Sequence, residues 1–163
     1  MFRQLYRGYE ARLRQNRLLD FDDMLVYTKE LLEKRPDILS VWQKKFRYIL
    51  IDEFQDINQI QYDIIRMLAA PENHLFIVGD DDQSIYRFRG AKPEIMLNFE
   101  RDYPETEKIL LDINYRSGSG IVKAAGNLIS HNRTRFEKNI RPDQQTGIPV
   151  MTQGFVNQKE QNM

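Results

Sequence analysis

At 163 residues, with 41% hydrophobic and 29% charged side chains, the chain holds apolar material for one modest core and not for two independent ones. Lysine plus arginine and aspartate plus glutamate each number 24, so bulk charge points neither toward nor away from nucleic acid, and any contact with a polyanion has to be local. The absence of cysteine excludes disulfides, thiolate catalysis and zinc–thiolate centres, which leaves carboxylates as the ligands for any metal.

Residues 3–17 predict a basic amphipathic helix, with Leu5, Tyr9 and Leu13 at four-residue spacing among Arg3, Arg7, Arg12, Arg14 and Arg17. Its simplest reading is a solvated face. A second helix runs from Asp20 with Phe21, Met24, Leu25, Thr28, Leu31 and Leu32 on one stripe, and stops before Pro36. A third, short helix carries Leu39, Trp42 and Phe46.

The period then changes. Tyr48, Ile49, Leu50 and Ile51 form a continuous apolar run, as expected of a strand buried on both faces of a parallel sheet, and the run ends in Asp52-Glu53. A helix with Ile57, Ile60, Ile64 and Leu68 on one face leads to a second run, Leu75 to Val78, which ends in Gly79-Asp80. A helix at 93–99 leads to a third strand candidate, Ile109, Leu110 and Leu111, followed by Asp112-Ile113-Asn114-Tyr115-Arg116. A last helix at 121–130 has Val122, Ala125, Leu128 and Ile129 on its inner face, and one more strand is expected at 150–152. The alternation predicts an α/β fold on an open parallel sheet.

No run approaches the roughly eighteen apolar residues of a membrane span, and residues 1–4 lack the apolar core of a signal peptide. A soluble, cytoplasmic protein is expected.

Ligands of open α/β sheets bind beyond the carboxyl ends of the strands, and here three predicted strands end in polar clusters: Asp52-Glu53, residues 79–83, and Asn114-Tyr115-Arg116. An acidic pair in that position suits Mg²⁺, one carboxylate meeting the metal and the other free to orient or deprotonate a water. A bare Asp-Glu pair is more simply read as a strand stop that meets solvent. Gly118-Ser119-Gly120 lacks the third glycine of a dinucleotide fingerprint, Lys123 standing there, and reads as a loop opening a helix. His74 and His131 have no partner at ligand spacing and read as surface residues.

The run Asp52-Glu53-Phe54-Gln55-Asp56, the run from Val78 through Asp80-Asp81-Asp82-Gln83 and Tyr86-Arg87-Phe88-Arg89 to Ala91, and Leu111 to Ser117 resemble, in order and spacing, motifs II, III and IV of UvrD/Rep-type superfamily 1 DNA helicases. Residues 19–24 resemble the segment where that family's chain returns from an inserted helical subdomain. Residues 132–138 and 147–160 resemble the opening of its second motor domain. The resemblance implies part of a P-loop NTPase (RecA-like) motor. Residues 1–18 would be the tail of the inserted subdomain, 19–112 the C-terminal part of the first motor domain, and 113–163 the hinge and start of the second.

It further implies ATP and Mg²⁺ as cofactors and single-stranded DNA and duplex junctions as partners. Asp52 would hold Mg²⁺ beside Glu53, the catalytic base. Gln83 would sense the γ-phosphate. Tyr86 and Phe88 would stack on bases with Arg89 near the strand, Tyr115 would stack on adenine, and Arg116 would reach the γ-phosphate from across the interdomain cleft. The whole protein would move 3′ to 5′ and unwind duplex in repair or replication.

Three positions depart from the family pattern: Phe88 stands where tryptophan is usual, Phe54 where tyrosine is frequent, and Asp81 where many relatives have a small residue or proline. No stretch matches G-x-x-x-x-G-K-[ST]. The phosphate-binding loop and its strand are therefore expected upstream, the isolated chain is expected to be inactive, and an uncovered sheet edge could pair with another copy. The alternative is a non-catalytic module binding single-stranded DNA or a protein, against which the retention of Glu53, Gln83 and Arg116 argues.

Overall fold

The computed structural model describes residues 1–143 and 149–158, and of Arg89 the backbone alone. The chain divides into two compact units, Met1–Asp102 and Tyr103–Met163. Part of the 147–160 segment lies outside the described residues.

In the first unit, helix α1 (Phe2–Asn16) buries none of its side chains, the solvated face that its arginines predict. Helix α2 (Phe21–Lys34) starts where Asp20 and Asp23 cap each other: the Asp23 amide donates to Asp20 Oδ1 at 2.8 Å and the Asp20 amide to Asp23 Oδ2 at 3.3 Å. It ends at Arg35 because the residue before a proline avoids the helical region, and Pro36 then opens α3 (Pro36–Lys45), where its missing N–H costs nothing. Asn58 and Gln61 form a second reciprocal cap at the start of α4 (Gln59–Ala69).

Polar ties register these helices. Lys29 Nζ donates to Asp63 Oδ2 at 2.7 Å, and Gln43 Nε2 donates to the Met67 carbonyl at 2.9 Å. Burial pushes the Asp63 carboxyl up, but hydrogen bonds from Lys29 and Gln59 outweigh it and hold the group below its ordinary range.

Strand β1 (Ile49–Ile51) pairs in parallel with β2 (Leu75–Ile77), Leu50 opposite Phe76. The parallel pairing matches the sequence pattern; burial on both faces does not. Leu50 is 71% exposed and Phe76 58%, so among the described residues only one face of this pair is covered. A continuous apolar run is suited to burial on both faces, but it does not supply what covers them.

The core lies on the covered side. Phe54, fully buried, meets the rings of Tyr62 and Phe99 edge-on at 6.2 and 5.5 Å between centroids. Leu32, Ile57, Ala69, Ala91 and Ile95 are buried in the same unit. The helix expected at 93–99 is broken at Asn98 into α5 (Pro93–Leu97) and α6 (Phe99–Asp102).

The second unit corrects three expectations. Ile109, Leu110 and Leu111 are exposed and form no strand, because no backbone among the described residues pairs with theirs. The parallel pair forms two residues later, between β3 (Ile113–Asn114) and β4 (Arg141–Pro142), where Arg141 also donates to Asp112 Oδ2 at 2.7 Å. Helix α7 (Ser119–Ile129), opened by Gly118 as its N-cap, has no buried residue, and Leu128 of the expected inner face is exposed. Residues 150–152 form no strand. In place of one open sheet, the described residues form two parallel pairs of strands. His74 and His131 are surface residues, His74 stacked on Tyr48. No described helix is long and apolar enough to cross a membrane.

Candidate active site

Strands β1 and β2 end side by side, and the backbone keeps them together beyond the last paired residues: the Val78 amide donates to the Ile51 carbonyl at 2.8 Å and the Phe54 amide to the Val78 carbonyl at 2.9 Å. Two polar turns therefore leave the sheet at one point. One is Asp52-Glu53 followed by a single 3₁₀ turn, Phe54–Asp56; the other is Gly79-Asp80 followed by a 3₁₀ turn, Asp81–Gln83.

Glu53 turns the chain. Its backbone is left-handed, φ 51 and ψ 39, a conformation that costs a residue with a Cβ about 1 to 2 kcal/mol and clusters at functional sites. The turn presents both carboxylates to solvent. Asp52 Oδ1 accepts the Glu53 amide at 2.8 Å, while Oδ2 accepts no hydrogen bond among the described residues. An exposed carboxylate with one uncommitted oxygen is a donor that fits Mg²⁺, an ion that keeps several waters and takes few protein ligands.

Gln55, two residues on, is 1% exposed and touches both turns. Its Nε2 donates to Glu53 Oε2 at 2.8 Å, its Oε1 accepts the Asp80 amide at 3.0 Å, and its carbonyl accepts Ser84 Oγ at 3.2 Å. Asp80 continues the connection, with Oδ2 accepting Gln83 Nε2 at 2.7 Å and Oδ1 accepting the Asp82 amide at 3.2 Å. Glu53, Gln55, Asp80 and Gln83 thus form one hydrogen-bonded series. Gly79 permits it: a Cβ there would stand 2.6 Å from Gln55 Oε1.

Beyond this series the rings of Tyr86 and Phe88 lie 5.9 Å apart, centroid to centroid, tilted by 47°. Tyr86 is 39% exposed and Phe88 77%, so neither is an ordinary core aromatic. Arg87 is held by Glu94 at 2.6 Å, and Gly90, at φ 86, closes the turn in a conformation that suits glycine. The Arg89 side chain lies outside the described residues.

Tyr115 and Arg116 belong to the second unit, both exposed. Their turn is fixed by Asn114, whose Oδ1 accepts the amides of Arg116 at 3.0 Å and Ser117 at 2.8 Å. The structure thus brings Asp52, Glu53 and Gln83 together in one unit and holds Tyr115 and Arg116 in the other.

The sequence pattern places Asp80 in the 79–83 cluster and Gln55 in the run after β1, but assigns neither a role in the site. The available signal is an amide two residues after Glu53, matched by a glycine at the end of the neighbouring strand.

Comparison with known proteins adds a family to this geometry. Residues 1–104 match the model of the UvrD/REP helicase N-terminal domain. YjcD of Bacillus subtilis strain 168 is 45% identical over 163 residues, covering 98% of this chain and 21% of its own length. The ATP-dependent DNA helicase PcrA of the same organism is 43% identical over 146 residues, covering 90% of this chain and 20% of its own. PcrA of Staphylococcus aureus strain Mu50 is 44% identical over 140 residues. The chain spans about a fifth of the length of the curated relatives it matches. The family model covers more than half of the chain, including both turns at the ends of β1 and β2, and on that ground the chain belongs to the UvrD/REP helicase family.

Proposed function

We propose that the chain is part of an ATP-driven DNA helicase motor, in which Asp52, Glu53 and Gln83 serve ATP hydrolysis and Tyr86 and Phe88 meet single-stranded DNA. The observation that carries this reading is the hydrogen-bonded series from Glu53 to Gln83, three residues from an exposed pair of rings. A module that only binds has no need of a backbone-strained glutamate tied to such a series.

In this reading Asp52 offers its Oδ2 to Mg²⁺, and Glu53 orients and deprotonates the attacking water. Bound Mg²⁺ would neutralise charge on the phosphate oxygens. Gln83 reads the γ-phosphate side of the site, Tyr115 stacks on adenine, and Arg116 supplies positive charge as transfer proceeds. Arg89 would lie close to the single strand. Residues 1–18 end an inserted helical subdomain, 19–112 complete the first motor domain of a P-loop NTPase, and 113–163 begin the second. The whole protein translocates 3′ to 5′ along single strands, opens duplex junctions, and acts in repair or replication.

Stacking tolerates any base because every base has a π-face, and each such contact contributes about 1 to 3 kcal/mol. Tyr86→Ala and Phe88→Ala in the full-length protein are each expected to weaken binding of a labelled oligonucleotide by roughly 5- to 150-fold. Anisotropy titrations at two salt concentrations check this; affinities within twofold of the parent for both variants refute the ring assignment.

The chain by itself lacks the loop G-x-x-x-x-G-K-[ST]. It is expected to show no DNA-stimulated ATP turnover, and to associate with a second copy through an exposed sheet edge. Steady turnover by this chain, or a monomer by sedimentation at every concentration tried, contradicts the corresponding half of that expectation.

A further inference from the structure

We propose that Gln55 is a positioning residue that aims the Glu53 carboxylate according to the state of the 80–83 turn, and so couples the DNA-facing segment to the base. This rests on the reading of Glu53 as the base. Gln55 is the one buried polar side chain among the described residues. Its amide orientation follows from its partners: the Asp80 N–H can only donate and must face Oε1, while the Glu53 carboxylate only accepts and must face Nε2.

That pairing needs an amide. Glutamate could still accept from Asp80 but has no donor for Glu53; methionine fills a similar volume and supplies neither bond. The connection runs outward as well. Asp80 holds Gln83 through Oδ2 at 2.7 Å, Ser84 Oγ donates to the Gln55 carbonyl, and Tyr86 and Phe88 follow within four residues of Ser84. A displacement of the 80–88 segment moves the Asp80 amide, the Gln55 side chain and the Glu53 carboxylate in turn. Gly79 lets the two turns approach this closely, because a Cβ there would stand 2.6 Å from Oε1.

The test compares Gln55→Glu and Gln55→Met in the full-length protein. Both are expected to lower kcat for ATP in the presence of single-stranded DNA by between about 10- and 100-fold, as a misaimed group does, with KM for ATP and DNA affinity within about twofold. Hydrogen exchange at residues 79–84, read without nucleotide, separates them: Gln55→Met speeds exchange at the Asp80 amide, and Gln55→Glu, which keeps the acceptor, leaves it protected. Should Gln55→Met fail to fold, Gln55→Glu carries the test alone. A kcat and DNA stimulation within twofold of the parent overturn the proposal, as does a loss matched by an equal rise in KM. If Glu53→Gln itself turns over ATP, the base reading has failed; if Glu53→Gln is dead and Gln55→Glu is fully active, only the positioning role has.

Discussion

Glu53→Gln in the full-length protein is expected to abolish useful ATP turnover, lowering kcat by about 10²- to 10⁴-fold, the range a positioned general base contributes. The substitution keeps the size of the side chain and an oxygen able to accept from Gln55 Nε2, which stands 2.8 Å from the carboxylate in the parent. What it removes is the capacity to take a proton from water. Glu53 is exposed and lies outside the core, so the fold is expected to survive, and nucleotide and single-stranded DNA should bind within about twofold of the parent. A coupled assay with and without single-stranded DNA, set beside fluorescent-nucleotide binding, checks both halves. Turnover above a tenth of the parent's would remove Glu53 from the role of base, and with it the enzymatic reading of the acidic turn.

The strand ends and helix caps are more legible in the sequence than the sheet is. Reciprocal caps at Asp20 and Asn58 and the stop at Pro36 are local chemistry, and local chemistry is written in neighbouring residues. The ends of β1 and β2 were legible because each apolar run gives way abruptly to acids. Apolar content alone did not separate Ile49–Ile51, which pairs, from Ile109, Leu110 and Leu111, which do not. A strand is a relation between two segments, and the partner of 113–114 lies nearly thirty residues away at Arg141–Pro142. Gln55 was hidden for a related reason. The burial of Gln55 depends on Gly79 and Asp80 arriving from the other strand.

Phe54→Ala should be the most damaging single change to the first unit, costing about 3 to 5 kcal/mol by removing buried area and leaving a cavity. Phe54 has no exposed surface and is the ring that Tyr62 and Phe99 both meet edge-on, so its loss leaves two aromatic neighbours without their common partner. Phe54→Leu keeps most of the volume and should cost less than Phe54→Ala. Tyr62→Phe removes only the hydroxyl that donates to Asp102 Oδ2 at 2.6 Å and should cost about 1 to 3 kcal/mol. Urea unfolding followed by the emission of Trp42, the single tryptophan, ranks the three variants. Because Phe54 stands between Glu53 and Gln55, the same cavity lies directly beneath the acidic turn. Phe54→Ala should therefore lose stability in this chain and turnover in the full-length protein, whereas Glu53→Gln is expected to lose turnover alone. A Phe54→Ala protein as stable as the parent would mean that the turn does not draw its rigidity from this cluster of rings, and the strained backbone at Glu53 would then need another anchor.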